Sequence, residues 1–203
     1  MPSNNNIYKM SNAGGFKSLN RYYDMLAGNA TFVENSYESI STVTVSAGGV
    51  SSITFSSIPS TYQHLQIRYI ARGSFAGASQ EFYLRYNGSS ANYNGGHYLY
   101  GEGTGVSVGK YAYSTVAVLE QLVAATSTAS VFNGGVIDVL DYANTNKYKT
   151  HRSLGGYDAN GSGYVYVNSS LWMDTAAVSS ITMLPSTGNF AQYSSFALYG
   201  ISG

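Results

Sequence analysis

The stretch YQHLQIRYIAR, residues 62–72, alternates apolar and polar side chains along most of its length. Its apolar side consists of Leu65, Ile67, Tyr69 and Ala71. A period of two is typical of a β-strand that buries one face. The segment EFYLRYN, residues 81–87, repeats the pattern, with Phe82, Leu84 and Tyr86 on its apolar side. Both segments are therefore predicted to be strands with one face buried in a hydrophobic core.

Further strand candidates follow, each bounded by Gly, Asn, Ser or Pro clusters. They are GHYLYG (96–101), YSTVAVLEQLV (113–123), FNGGVIDVLDYA (132–143), YKTHRSLGGY (148–157), GYVYVNSSLWM (163–173), SSITMLP (179–185) and SSFALYGI (194–201). Upstream, residues 38–56 are predicted to form a hairpin around Gly48-Gly49, with a slip near Thr42. About ten short strands predict an all-β domain over residues 37–203. A jelly-roll-like β-sandwich is favoured over a barrel because no 40-residue repeat is present.

Residues 1–36 differ in character and are predicted to form an N-terminal arm. The segment SLNRYYDMLAGN has apolar residues at helical spacing, which predicts one short α-helix at about 18–27. So short a helix is marginal alone, and its apolar face must lie against this chain's body or a neighbouring subunit. The arm is therefore expected to act as an anchor. The side chains predicted to make its contacts are Tyr8, Phe16, Leu19, Tyr22, Tyr23 and Leu26.

The composition is poor in charge and rich in tyrosine. Only 10% of the residues are charged, against 20 Tyr and 23 Gly, and 10 basic residues balance 10 acidic ones. Soluble domains usually carry about a quarter charged residues. The balance argues against nucleic acid as a partner, and no apolar run is long enough to span a membrane. A surface so weakly charged must be either neutral and hydroxyl-rich or buried against other protein, which predicts a protein that works through its surfaces and argues against a catalytic pocket.

Nothing in the sequence predicts an enzyme or a cofactor. The three histidines, His64, His97 and His151, accompany no G-x-S-x-G nucleophile motif and are expected to be solvated or at an interface. Asp158 opens a segment that imitates the start of a calcium loop, but Ser169 stands where a bidentate carboxylate is needed. A strand-joining turn explains the same residues. No catalytic, cofactor or metal site is predicted.

The remaining polar and aromatic clusters have two interpretations each. Lys147, Lys149 and Arg152 could contact phosphate, although a solvated or salt-bridged face is favoured. Tyr69, Tyr86 and Tyr148 alternate like strand residues in a core or between subunits. The Tyr-rich loops 92–103 and 109–114 could stack on sugar rings, although packing between subunits is favoured. This possible ligand or subunit surface consists of Tyr93, Tyr98, Tyr100, Tyr111 and Tyr113.

Three segments carry a resemblance to a known class of proteins. They are ITFSSIPSTYQHLQIR (53–68), DYANTNKYK (141–149) with LWM (171–173), and the closing strand 194–203. As a set, over about residues 38–203, they resemble a C-terminal module of tailed-phage virion proteins, of the kind common in cyanophages and other marine or freshwater phages. The resemblance implies a structural component of a virion, of the decoration or tail-fibre type.

The sequence therefore leads to a functional expectation with one alternative. The chain is expected to be a capsid decoration (cement) protein, a homotrimer that binds the major capsid protein on the virion surface after assembly in the host cytoplasm. It lacks a coiled-coil, collagen-like or β-helical stalk, which a fibre usually needs. The alternative is a tail-fibre or receptor-binding module whose tyrosines contact host polysaccharide.

Overall fold

The structure, a computed structural model, describes residues 37–91 and 93–203, and this part of the chain is all-β. It contains twelve strands and no helix. The strands are β1 (Tyr37–Thr44), β2 (Ile53–Phe55), β3 (His64–Ala71), β4 (Ser79–Tyr86), β5 (Asn94–Glu102), β6 (Gly105–Ser114), β7 (Ala117–Val123), β8 (Asn133–Leu140), β9 (Lys149–Asp158), β10 (Gly163–Trp172), β11 (Ile181–Pro185) and β12 (Ser195–Ile201).

The strands form two antiparallel sheets that pack as a sandwich. The larger sheet has eight strands in the order β1-β12-β3-β8-β9-β10-β5-β6, and the smaller has four in the order β2-β11-β4-β7. The edge strand β7 of the smaller sheet packs against β10, β9 and β5 of the larger one. The predicted sandwich class is confirmed.

The core lies between the two sheets and follows from the period-two pattern. The apolar sides predicted for residues 62–72 and 81–87 are fully or almost fully buried. Phe82 stands at the centre of an aromatic group, with ring centroids 5.1 Å from Tyr69 and 5.6 Å from Phe190. Burying a large apolar side chain contributes about 1.5–3 kcal/mol each before the cost of ordering. The two sheets are thus held together by core contacts between side chains that the alternation of apolar and polar residues places on the inner faces.

Tyrosine and glycine face each other across neighbouring strands. Tyr69 is paired with Gly135, Tyr98 with Gly109 and Tyr111 with Gly96. A Cβ at any of these three glycines would collide with the ring of the tyrosine opposite. The tyrosine ring therefore lies over the bare backbone of its glycine partner, which compensates for the weak packing of glycine in a strand. These pairs give the abundance of both residue types a structural reason.

The predicted hairpin over residues 38–56 is wrong. β1 pairs with β12 in the larger sheet, whereas β2 pairs with β11 in the smaller one. Gly48 and Gly49 do form a turn, with φ of 91° and 71°. Val50, directly after this turn, bridges to Phe190 instead of pairing back onto β1. The turn therefore carries the chain from one sheet to the other.

Strand β6 and the irregularity in β1 bear on two further predictions. Residues 109–114 were predicted to be a loop, but they lie in β6, which pairs with β5 along its length. The slip predicted near Thr42 is a register shift between Ser39 and Ser41. The predicted arm of residues 1–36, with its helix at about 18–27, lies outside the described residues.

Lys149, predicted to lie on a solvated or salt-bridged face, and His151, predicted to be solvated or at an interface, are both buried within the domain. Lys149 is 0% exposed, and its Nζ donates to the carbonyl oxygens of Lys147 at 2.9 Å and Thr175 at 3.1 Å. His151 is also 0% exposed, with Nδ1 2.9 Å from the hydroxyl of Tyr86. Burial lowers the pKa of His151 to about 4, so its ring is neutral near pH 7. Both expectations were wrong because backbone carbonyls and a buried phenol replace water around these groups.

The remaining polar clusters follow the simpler interpretation. Lys147 forms an ion pair with Asp141, as expected of a salt-bridged face. Tyr69 and Tyr86 are buried in the core as predicted, whereas Tyr148, just before β9, is half exposed.

Candidate functional site

An open cleft lies between β7 and the inner side of the large sheet at β5, β6 and β10. Its volume is about 400 Å³. The residues that line it are Glu81, Tyr98, Tyr100, Lys110, Tyr111, Val118, Leu119, Glu120, Gln121, Tyr164, Tyr166 and Asn168. Five of these are tyrosines. We call this feature the tyrosine cleft.

A continuous group of tyrosine rings forms the floor of the cleft. Tyr100 and Tyr166 are directly opposite each other on β5 and β10, with ring centroids 5.0 Å apart and planes inclined by 17°. Tyr98 stacks on Tyr100 at 6.2 Å, and Tyr164 contacts Tyr166 at 5.9 Å. Alternate residues of a strand share a face, so each strand contributes two of these rings.

The hydroxyl of Tyr166, which lines the cleft, is available for hydrogen bonding. Tyr166 is only 6% exposed, yet its hydroxyl makes no hydrogen bond to another described residue. Burial raises the pKa of Tyr166, with the neighbouring phenols Tyr100 and Tyr164 adding to the shift. Tyr164 has its pKa raised to about 12, first by burial and then by a hydrogen bond to Glu102. Both phenols therefore stay neutral at physiological pH and can donate and accept hydrogen bonds.

Side chains from three strands fix the walls of the cleft. The Asn168 amide donates to the carbonyl oxygen of Val118, which ties β10 to the edge strand β7. The Tyr111 hydroxyl lies 2.7 Å from Oγ of Ser170 and holds β6 against β10. Glu81 accepts a hydrogen bond from the hydroxyl of Tyr83 on the same strand. The cleft is thus built from side chains whose positions are set by hydrogen bonds.

A buried carboxyl group, Glu120 on β7, also lines the cleft. It is 2% exposed, and its Oε1 accepts hydrogen bonds from the Tyr69 hydroxyl at 2.6 Å and from Nδ2 of Asn133 at 3.1 Å. Its Oε2 is buried without a hydrogen-bond partner among the described residues and lies next to Gly155. Burial raises the pKa of Glu120 to about 8, although the two hydrogen bonds act in the opposite direction. The carboxyl group is therefore largely protonated at neutral pH.

The outer side of the same strands carries an exposed apolar row. Five directly opposed residues cross five strands from β6 to β8: Val108, Leu99, Val167, Leu154 and Val136. Val108 is 77% exposed and Val167 is 49% exposed. A neighbouring row adds Val106 and Val165, which flank Gly101. We call these two rows the outer apolar face.

The structure separates the predicted tyrosine surface into two groups. Tyr98, Tyr100 and Tyr111 line the cleft. Tyr93, just before β5, and Tyr113, which is 74% exposed near the end of β6, do not line it. The predicted arm contacts Tyr8, Phe16, Leu19, Tyr22, Tyr23 and Leu26 lie outside the described residues.

Sequence reasoning missed Tyr164, Tyr166 and the outer apolar face. A signal for both was present in YVYVN, residues 164–168, because tyrosines and valines alternate there. A strand that is apolar on both sides is covered on both sides in most proteins. The same pattern in YLY, residues 98–100, places Leu99 outward between two inward tyrosines.

The tyrosine cleft is suited to holding a ligand by stacking and hydrogen bonding.

In residues 37–91 and 93–203, no group of three or more His, Cys, Asp or Glu side chains could hold a metal ion. The calcium-like segment is a turn in which Oδ1 of Asp158 accepts the N–H of Asn160 at 2.6 Å. The described part also contains no helix of the length and apolar character that crossing a membrane requires.

Comparison with known proteins gives weak likenesses of fold. No protein-family model and no curated protein matches the chain. A galectin, LEC-6 of Caenorhabditis elegans, has a TM-score of 0.32 and 7% identity over 80% of this chain and 96% of its own. A fructofuranosidase from Schwanniomyces occidentalis, solved with fructose, has a TM-score of 0.29 and 9% identity over 86% of this chain. The match spans only 36% of the fructofuranosidase. At such low TM-scores, neither likeness carries information on what this chain binds.

Proposed function

We propose that this chain is a phage virion structural protein that decorates the capsid as a homo-oligomer. The observation that carries the proposal is the outer apolar face. Its first row, Val108, Leu99, Val167, Leu154 and Val136, contains no charged residue across five strands. Large exposed apolar patches on soluble proteins mark contacts with other molecules. The proposed partner for this face is a second copy of the chain, in the homotrimer expected from the sequence.

The strand order supports a jelly-roll frame for this protein. Without the β5–β6 and β9–β10 hairpins, two four-stranded sheets remain, β1-β12-β3-β8 and β2-β11-β4-β7. In this set the chain crosses between the sheets at every step except from β4 to β7. Double-sheet jelly rolls of eight strands are the architecture of viral capsid and lectin domains. The two hairpins extend one sheet of the frame and carry both the cleft and the outer apolar face.

The proposed attachment to the major capsid protein uses the N-terminal arm, residues 1–36. An apolar segment that orders on a shell contributes binding energy at every copy, and repetition over many copies multiplies a modest contact. Removing residues 1–30 is expected to abolish particle association while residues 37–203 remain folded. Decoration by the truncated protein would contradict this anchoring role.

A tail-fibre or receptor-binding role is the second candidate, and the tyrosine cleft favours it. Aromatic floors with polar walls are typical of sites that recognise small polar ligands. This role places the protein at the host-facing end of the particle and its cleft against surface polysaccharide. It requires far fewer copies per virion than capsid decoration does.

Copy number in purified virions separates the two roles. We expect quantitative mass spectrometry of particles of the phage that encodes the chain to give hundreds of copies, in fixed ratio to the major capsid protein. A handful of copies, in ratio to tail proteins, would place the chain in the tail. Absence from purified particles would overturn the virion role altogether.

A further inference from the structure

We propose that the tyrosine cleft binds a neutral saccharide. The inference goes beyond capsid decoration and deepens the receptor-binding candidate by naming the ligand class, but it is argued from the cleft alone, wherever the protein sits on the particle. A cleft of about 400 Å³ lies within the size range of small-ligand sites in proteins. Its floor is a preformed group of rings held by strand register, so binding requires little ordering of side chains.

The floor of the cleft offers both kinds of surface that a sugar needs. The C–H face of a sugar ring packs against an aromatic surface, and its hydroxyls need polar partners. Tyr98 and Tyr100, both partly exposed, contribute ring surface along the floor, and the ring of Tyr166 packs against Tyr100. The Tyr166 hydroxyl, in a side chain only 6% exposed, has no hydrogen-bond partner among the described residues. This hydroxyl can therefore donate to or accept from a ligand hydroxyl without first breaking a hydrogen bond within the described part of the protein.

The charged residues that line the cleft favour a neutral ligand over an ion. Glu81 lines the wall, and its carboxylate would repel an anion such as phosphate. Lys110 lines the same cleft and disfavours an organic cation, the other common ligand of aromatic sites. Gln121 and Glu81 offer hydrogen-bonding groups opposite the tyrosine floor. Uncharged hydroxyls suit this mixture better than either ion does.

The test uses the full chain and three defined probes: maltohexaose, cellohexaose and chitohexaose. Isothermal titration calorimetry and saturation-transfer NMR should detect binding of at least one of them. Tyr100→Ala should weaken that binding at least tenfold, because it removes the central ring of the floor. Tyr166→Phe keeps the ring and the packing, so a several-fold loss there reports the hydroxyl alone.

The matched control is Tyr148→Ala, since Tyr148 is half exposed and lies outside the cleft. This variant should bind like the wild type. Binding of none of the three probes at millimolar concentration would overturn the proposal. So would binding unchanged in both Tyr100→Ala and Tyr166→Phe. Virion copy number is measured separately, so failure here leaves the decoration role standing.

Discussion

Gly155 on β9 lies where a side chain would collide with a buried hydrogen-bond network. A Cβ at this position would clash with Oε2 of Glu120 and with the hydroxyl of Tyr69. Both groups are buried and joined by a 2.6 Å hydrogen bond, so neither can move aside cheaply. We expect Gly155→Ala to lower the free energy of unfolding by about 1–3 kcal/mol, as overpacking does in other cores. Urea unfolding followed by circular dichroism measures the change.

Gly134 provides the control for this substitution. It lies on the adjacent strand β8, but a Cβ there meets nothing within 4 Å. Gly134→Ala should therefore leave stability unchanged or raise it slightly, since alanine restricts the unfolded chain. Equal losses in the two variants would mean that collision with Glu120 is not the cause.

Glu120 makes folding stability depend on pH. Its pKa is raised by burial from 4.5 to about 8, so the folded chain keeps a proton that the unfolded chain loses between these values. Stability is then fully present below pH 4.5 and falls as the pH rises towards 8. His151 acts in the opposite sense, because burial lowers its pKa from 6.5 to about 4 and stability is lost as the pH falls through that window.

Above pH 6.5 the contribution of His151 fades, whereas that of Glu120 continues to about pH 8. There we expect the wild type to lose stability at up to about 1.4 kcal/mol per pH unit. Glu120→Gln keeps the shape and removes the proton, so its slope over the same interval should be much shallower. Urea midpoints at several pH values give both slopes. Identical slopes would rule out Glu120 as the titrating group.

At the residue scale, the sequence could identify inward apolar positions but not every buried polar one. Leu65 and Phe82 follow from alternation alone. Lys149 and His151 occupy positions of the same alternation, but lysine is rarely buried and histidine is intermediate, so neither residue type predicts a core position. Their burial depends on distant partners, the Thr175 carbonyl for Lys149 and the Tyr86 hydroxyl for His151. No local pattern encodes such partners.

Arg72, directly after β3, organises the whole connection between β7 and β8. Its side chain is 9% exposed, and the guanidinium donates to backbone carbonyls of that connection at distances from 2.7 to 3.4 Å. The acceptors are Ala124, Ala125, Ser127, Thr128 and Val131. The guanidinium thus supplies the hydrogen-bond donors that regular secondary structure would otherwise provide to these five carbonyls.

Arg72→Lys should release this connection. Lysine keeps the charge but offers one ammonium group in place of the guanidinium fork, so several carbonyls lose their donor. We expect a loss of about 2 kcal/mol in unfolding free energy and faster hydrogen–deuterium exchange over residues 124–131. Arg152→Lys, at an exposed position on β9, should change neither quantity. Unchanged exchange in Arg72→Lys would show that the connection holds its shape by other contacts.

At the element scale, strands were easier to predict than their partners. The period-two pattern located most strands, and it failed mainly for β6, whose glycines and exposed valines resemble a loop. The 38–56 hairpin was wrong because a Gly-Gly turn specifies a reversal locally, whereas pairing depends on which edge is free. β1 and β2 each form the edge of a sheet beside β12 and β11, which lie about 150 and 130 residues away in sequence. The cleft could not be predicted for the same reason. Tyr100 and Tyr166 come together only through the register of β5 and β10, which the local sequence does not specify.

At the scale of the whole molecule, the larger sheet combines two surfaces on opposite sides of the same strands. β5 and β10 place tyrosines inward in the cleft and Leu99 and Val167 outward. One side is aromatic and hydroxyl-rich, whereas the other is aliphatic. Charged side chains are few on both sides: Glu81 and Lys110 line the cleft, and the first row of the outer apolar face contains none. The low charge content of the chain is therefore consistent with the composition of both surfaces.

The proposed self-association through the outer apolar face can be tested with one substitution. Val167 lies at the centre of the first row, between Leu99 and Leu154, and is 49% exposed. Val167→Lys places a charge in the proposed interface, which is costly to bury without a partner. Light scattering coupled to size-exclusion chromatography should give a trimer for the wild type and a monomer for the variant, with unchanged circular dichroism.

Tyr148→Lys is the matched control for this experiment, because Tyr148 is 51% exposed and lies outside both rows. It should remain a trimer, since the added charge stays in water. A wild-type chain that is monomeric at micromolar concentration would contradict self-association through any surface. A Val167→Lys variant that stays trimeric would leave the oligomer standing but remove the outer apolar face from it, and that face would then be free to contact the capsid shell directly.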